Sequence, residues 1–306
     1  ERPNHPLDPA PALGDTYPPG SILDGNPGSL LSGNQQFKSA DDKRRNGWAV
    51  FFAGERPAGV FGNYRLGLRQ TWRANGESGP LTLSERSALR AKRREAEAER
   101  QRLAAAASDK ARAIFGSASP ASDTHPYLLE KHLQPFGIRQ RGRQLVIPMV
   151  DEDYHLWNLQ FITDDGDKRF LPKGRTTGVF WAHHLRSLKG DLTEGPLVLA
   201  EGYGTAAACH EATGWAVVAA MSVDNLSAVA HSMRRLSASL PMIIAADWDG
   251  APDGGRGTET ARRVAAEVNA RLALPLPADQ PTIEKLDFAD LSRADAATIL
   301  HNALPS

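Results

Sequence analysis

Between Pro196 and Leu274 the sequence alternates wholly apolar runs with helix patterns: PLVLAE, GTAAACHEATG, WAVVAAM, DNLSAVAHSMRRLSASL, MIIAAD and TETARRVAAEVNARLAL. Short runs without polar alternation are strands buried on both faces. Strands separated by helices are joined by crossovers, which gives a parallel sheet covered by helices on both sides. Gly214 is expected to close the first helix, with Asp224 and Thr258 expected to cap the next two. LALPLP follows as a further strand-like segment.

In an open parallel sheet, active groups gather at the carboxyl ends of the strands. The first apolar run ends on Glu201, in LVLAEGYGTA, and the third runs into Asp247 and Asp249, in MIIAADWDG. If those two strands are neighbours, the three carboxylates converge. Unpaired, they would repel and raise one another's pKa. Mg²⁺ or Mn²⁺ removes the conflict, because hard cations prefer oxygen ligands. Gly202, Gly204 and Gly250 allow close approach of backbone and phosphate. KLDFADL adds Asp287 and Asp290. Those two read either as further ligands at the same edge or as the N-cap region of LSRADAATIL. Trp248 either packs under the loop or stacks on a base.

Upstream the texture differs. Residues 1–23 are rich in Pro, Gly and Asp and read as a flexible lead, and 24–80 read as a small β domain. Its hairpins are drawn from the aromatic and β-branched runs of NGWAVFFAGERPAGVFGNYRLGLRQTW. Leu83 to about Phe115 reads as a long helix of Ala, Glu, Arg and Lys, capped by Thr82 or Ser84. It is either a solvated connector, over 81–118, or a basic face against nucleic acid. Over 119–190, LVIPMV and LWNLQFI form an antiparallel meander, with Arg143, Lys168, Arg169, Lys173 and Arg175 around its end. Such a cluster supplies salt-sensitive phosphate affinity, or it is a solvated hairpin end. Trp157 and Phe161 read as core. His183 and His184 are adjacent on a strand and therefore on opposite faces, which disfavours a shared metal.

The chain has 306 residues and no net charge, so nucleic-acid affinity must come from local patches. One cysteine, Cys209, excludes a disulfide framework and a Cys-based zinc module. It reads as a buried small hydrophobe in a reducing cytoplasm. No run approaches the ~18 apolar residues of a membrane span, and no signal peptide is visible. A start at Glu1 instead of Met leads us to expect a piece of a longer polypeptide.

EGYGTA followed by DWDG on alternating β and α elements resembles the TOPRIM domain of DnaG-type primases, topoisomerases and some nucleases. The resemblance implies acid–base or metal-binding work for Glu201 and metal binding for Asp247 and Asp249, with Asp287 as a further ligand. LVIPMVDEDYHLWNLQFITDDGDKRFLPKGR resembles the basic subdomain that precedes TOPRIM in primases. HPYLLEKHLQPFGIR and the 46–72 segment resemble upstream parts of conjugative plasmid and phage primases of the TraC type. The fold implied is α/β (α+β overall), with a TOPRIM domain over 191–306 behind the basic subdomain. The function implied is synthesis of short RNA primers on single-stranded DNA from NTPs, for plasmid, phage or mobile-element replication. It would use Mg²⁺ or Mn²⁺, two ions and no zinc, with a replicative helicase or another replication protein as partner. A TOPRIM nuclease and a non-catalytic nucleic-acid-binding module are the alternatives. The zinc ribbon of many primases and a Walker A motif for a fused helicase are absent from this sequence.

Overall fold

The computed structural model describes residues 33–37, 46–52, 58–63, 66, 68–73, 83–185, 195–250, 255–276 and 285–304. The expected flexible lead at 1–23 lies outside them. The chain divides into two compact units, Glu1–Arg90 and Ala91–Ser306. The first holds an antiparallel four-stranded meander of β1 (Gly33–Phe37), β2 (Gly47–Phe52), β3 (Ala58–Asn63) and β4 (Leu68–Arg73).

The helix α1 spans Leu83–Ser117. The described side chains of its first half are exposed, and Ala104, Ala107, Ser108 and Ala111 bury its second half. Ser108 Oγ donates to Leu156 O at 2.6 Å. An antiparallel sheet follows in the order β5 (Ser119–Pro120), β6 (Arg139–Arg141), β7 (Gln144–Val150), β8 (Leu156–Ile162) and β9 (Lys168–Phe170). The short helix α2 (Pro126–Glu130) stands between β5 and β6.

A second five-stranded sheet has the order β10 (Trp181–His183), β12 (Ala216–Ala219), β11 (Leu197–Ala200), β13 (Met242–Ala245) and β14 (Arg271–Ala273). Its four later strands are parallel, and β10 joins as an antiparallel edge. Every residue of β11, β12 and β13 is buried. Period-two alternation explains how. Val198, Ala200, Val217, Ala219, Ile243 and Ala245 face one core. Leu197, Leu199, Ala216, Val218, Met242 and Ile244 face the other.

The first core also contains α3 (Tyr203–Thr213), α6 (Arg293–Asn302) and the apolar faces of β7 and β8. The β5–β9 sheet and the parallel sheet therefore share one interior. α3 is buried almost all round, which its Ala206-Ala207-Ala208-Cys209 run permits. The second core receives α4 (Val223–Leu236) and α5 (Gly255–Glu267). Leu226, Val229, Ala230 and Met233 of α4, and Ala261, Val264 and Ala265 of α5 with Val268 just beyond it, recur at helical spacing. Each such fully buried aliphatic side chain larger than alanine contributes about 1.5–3 kcal/mol.

Gly214 closes α3 at φ +71° in the left-handed region. The other two cap expectations need correction. The N-cap of α4 is Ser222, and Asp224 sits in the first turn and pairs with Arg256. Met221, at φ +69°, turns the chain sharply after β12, so the helix starts earlier than the Asp signal suggests. Thr258 lies inside α5, and its hydroxyl donates to Asp247 O at 3.1 Å. Among the described residues, no helix is long and apolar enough to cross a membrane.

Candidate active site

β11 and β13 are neighbours, in register from Leu197↔Met242 to Ala200↔Ala245. Glu201 follows the end of one strand, and Asp247 stands two residues beyond the end of the other. Their backbones leave the sheet side by side, at the ~4.8 Å spacing of adjacent strands. The Glu201 carboxylate accepts the Val223 N–H at the start of α4, where the helix dipole favours negative charge. Burial, and then the charge of Asp249, nevertheless push its pKa upward.

Asp247 is more enclosed than a strand-end acid is expected to be. It is only partly exposed, and Thr205 Oγ1 donates to its Oδ1 at 2.8 Å. Burial, and then the Glu201 charge, push its pKa up to about 7, against the pull of Thr205 and Lys168. Asp249 is exposed and stands 3.4 Å from Lys285 Nζ. A Cβ placed on Gly257 would meet Asp249 Oδ2 at 3.3 Å and Glu201 Oε2 at 3.7 Å. Both carboxylates thus open toward the same space before the first turn of α5. Trp248, between the aspartates, is buried and pairs with Leu286 through two backbone hydrogen bonds. It packs under the loop.

A cavity of about 300 Å³ opens beside Asp247. Tyr127, Lys131, Lys168, Thr205 and Asp287 line it, together with Gly202 and Gly204. Asp287 caps the single 3-10 turn Phe288–Asp290 in a reciprocal capping box with Asp290. Lys131 Nζ reaches Asp287 Oδ2 at 3.0 Å and Asp290 Oδ1 at 2.6 Å. Burial works to lower the Lys131 pKa, but its bonds to the two carboxylates outweigh it and raise the value.

The expected basic cluster is divided. Strand alternation in β9 turns Lys168 toward the cavity, where its Nζ lies 5.9 Å from the Tyr127 ring centroid. Arg169 points away and stands, largely exposed, 3.9 Å from Asp167. Arg143 pairs with Asp164 on the hairpin surface. Lys173, at φ +67°, turns the chain so that it and Arg175 line a separate groove with Trp157 and the α1 residues Arg100 and Gln101. The Arg175 guanidinium lies 5.3 Å from the Trp157 ring centroid. Trp157 and Phe161 are partly buried against the core.

The glycines serve different ends. Gly250 adopts φ +77°, which the turn after Asp249 requires. A Cβ on Gly204 would stand 2.7 Å from Tyr127 Oη, so its lack of a side chain seats α3 against α2. Gly202 has open space by comparison, its nearest such neighbour being Lys168 Nζ at 3.8 Å.

The donor set suits a hard divalent cation: three carboxylates at adjacent strand ends, with glycines clearing the approach. Among the described residues, however, no three Asp, Glu, His or Cys side chains already form a ligand group. Thr205 holds Asp247, and Lys285 draws Asp249. Glu201, Asp247 and Asp249 would close on an ion by side-chain rotation.

The two histidines depart from the strand geometry expected of them. His184 leaves β10 at φ +59°, and its ring comes within 6.3 Å of His183 and 5.5 Å of His210. Burial, and then His210, lower the His183 pKa to about 4. Cys209 is buried, as expected.

Sequence reasoning did not single out Tyr127, Lys131, Thr205 or Gly257. Thr205 carried a signal, since it lies one helical turn after Glu201 on the same strand-to-helix connection. Lys131 carried none, because its partners are 156 and 159 residues away.

Residues 196–297 match the Toprim domain family. Over 258 residues the chain is 30% identical to a DNA primase TraC of Escherichia coli, a match covering 80% of this chain and 24% of the relative. A second DNA primase TraC of Escherichia coli is 28% identical over 288 residues, covering 87% of this chain and 20% of the relative. The chain therefore spans about a quarter or less of the curated relatives it matches. Among solved structures, the RNA polymerase domain of Mycobacterium tuberculosis primase DnaG in complex with double-stranded DNA superposes with a TM-score of 0.45 at 17% identity. That match covers 66% of this chain and 80% of that one. The primase fragment of the bacteriophage T7 primase-helicase gives 0.44 at 13% identity, covering 62% and 77%.

Proposed function

We propose that this chain, which carries a Toprim domain, is the primer-synthesising core of a DNA primase of the TraC type. The observation that carries the reading is the placement of Glu201 and Asp247 at the carboxyl ends of adjacent parallel strands, with Asp249 facing the same space. The reaction is nucleotidyl transfer: a 3′-hydroxyl attacks the α-phosphate of an NTP and pyrophosphate leaves. Asp247 and Asp249 would hold Mg²⁺ or Mn²⁺, which when bound supplies charge stabilisation at phosphorus and a more acidic hydroxyl. Glu201 takes the hydroxyl proton on its carboxylate. Its upward-shifted pKa brings it nearer to neutrality than an ordinary glutamate, as a general base requires. Lys168 lines the cavity with Asp247, its charge felt by Asp247 and Glu201 alike, and neutralises phosphate charge. The exposed Arg143 and Arg169, and the Lys173–Arg175 groove beside Trp157, bind the template backbone without reading its sequence. The substrate template is single-stranded DNA of a plasmid, phage or other mobile element, with a replicative helicase or a similar protein as partner.

The test is primer synthesis on mixed-sequence single-stranded DNA with labelled NTPs and Mg²⁺ or Mn²⁺, run beside Asp247→Ala. Short products that need metal and vanish in the variant support the reading. Cleavage of the DNA without synthesis would move the protein to the Toprim nucleases. Neither synthesis nor cleavage would mean that a further domain of the longer protein supplies initiation, or that this unit only binds nucleic acid.

A further inference from the structure

We propose that Lys131 stands in for a metal ion: its ammonium is the resident cation of the Asp287–Asp290 subsite, and divalent ions enter only on the Glu201, Asp247 and Asp249 side. The inference rests on the metal reading above and refines it.

The geometry of the two acids carries the argument. The capping box uses one oxygen of each. Asp287 Oδ1 accepts the Ala289 N–H at 2.7 Å, and Asp290 Oδ2 accepts the Asp287 N–H at 2.9 Å. Those bonds fix both carboxylates against rotation. The remaining oxygens, Asp287 Oδ2 and Asp290 Oδ1, converge on one point, and Lys131 Nζ occupies it at 3.0 Å and 2.6 Å. A point fixed by two carboxylate oxygens is a cation position, and here the chain fills it with its own charge.

Lys131 is held there from its backbone as well as its head. Arg293 Nη2 donates to the carbonyls of Lys131 and His132 at 3.2 Å and 2.8 Å, while Arg293 Nε pairs with Glu211 at 2.8 Å. The stem of Lys131 is thus anchored to α6 and α3, and its side chain is less than a quarter exposed. A side chain clamped at both ends is a fixed charge, not a mobile surface lysine. With Asp287 neutralised in this way, the acids left to the cavity are Glu130 and Asp165 at its α2 and hairpin walls and Asp247, and of these Asp247 is the one that stands beside the strand end bearing Glu201. An ion that also needed Asp287 would first have to displace an ammonium bonded to two acids.

Mn²⁺ binding to the full 306-residue chain tests this, followed by the loss of the free-ion electron paramagnetic resonance signal, with melting curves alongside. The variants are Asp287→Asn, Lys131→Met and Lys131→Arg. Asp287→Asn is expected to leave Mn²⁺ number and affinity as in the parent. Lys131→Met is expected to take up an additional Mn²⁺ per chain, about tenfold or more tighter than any such binding in the parent. Lys131→Arg keeps a cation in place and is expected to match the parent. Weakened Mn²⁺ binding in Asp287→Asn would overturn the proposal, since Asp287 would then be a ligand. So would a Lys131→Met protein with the parent's Mn²⁺ number and a lower melting temperature, which is the result of a purely structural ion pair. A parent chain that takes up no Mn²⁺ at all would overturn the metal reading itself, a different failure from either of these.

Discussion

The hydroxyl of Thr205 donates to Oδ1 of Asp247 at 2.8 Å, so the first turn of α3 grips the aspartate that follows the strand next to Glu201's own. This bond favours the ionised carboxylate against burial and the Glu201 charge, both of which favour the proton. Thr205→Val removes it at nearly constant volume. A hydrogen bond to a charged group is worth about 1.5–3 kcal/mol, which corresponds to about one to two units of pKa. The pH midpoint of Mn²⁺ binding is expected to rise by up to that amount in Thr205→Val. An unmoved midpoint would mean that the hydroxyl does not govern Asp247.

The enclosed position of Asp247 fixes a sign for pH. Its pKa rises from 3.8 to about 7 on folding, so between those values the folded chain holds a proton that the unfolded chain has released. Stability of the metal-free protein from this group is therefore greatest below pH ~4 and falls as pH rises toward 7. Glu201, shifted in the same direction, adds to the fall. Asp247→Asn is expected to flatten that slope and to melt higher than the parent at pH 8 without metal. Primer synthesis in the same variant is expected to drop by a factor of about 100 or more. Denaturant melts across pH, compared between parent and variant, check the first expectation, and parallel curves would refute it.

Gly204 and Tyr127 form a packed pair that a double substitution can probe. A methyl at 204 would meet Tyr127 Oη at 2.7 Å, inside a region where Tyr127 is buried. Gly204→Ala is expected to destabilise by about 1–3 kcal/mol, the usual cost of overpacking. Tyr127→Phe removes the atom in the way, so the double variant is expected to recover part of that loss. A chemical denaturation cycle measures the coupling, and strict additivity would show that the two do not touch.

The division of the basic residues separates two kinds of binding. Lys168 faces the cavity and Arg169 faces outward, although they are adjacent in sequence. Lys168→Met is expected to raise the KM for NTP while leaving the salt dependence of DNA binding in place. Arg169→Ala is expected to shallow the salt slope by about one phosphate contact and to leave the NTP KM unchanged. Titrations of DNA at several salt concentrations, beside NTP kinetics, distinguish them. The reverse pattern would exchange their roles.

The parallel sheet was legible because its strands are buried on both faces, and LVLA, AVVA and MIIA show that as unbroken apolar runs. Glu201 and Asp247 were legible for a related reason: an acid directly behind such a run must sit at a sheet edge. What could not be read was decided by contacts distant in sequence or by single backbone angles. The positive φ of Met221 moved the start of α4, and that of Lys173 carried Arg175 away from Lys168. The partner of Asp287 comes from the end of α2, and no local pattern marks it. Adjacent histidines were placed on opposite faces by strand alternation, which His184 escapes by turning left-handed.

The cavity's walls come from both sides of residue 196. Tyr127, Lys131 and Lys168 precede the span that matches the Toprim family, whereas Thr205, Asp247 and Asp287 lie within it. Tyr203, at the start of α3, donates its hydroxyl to Gln134 O, and its ring packs edge-on against Trp181. A recombination event that exchanged residues 196–297 alone would carry the acids without the lysines that face them, and would strand a buried tyrosine at the seam. The piece that can be inherited or transplanted intact begins before α2.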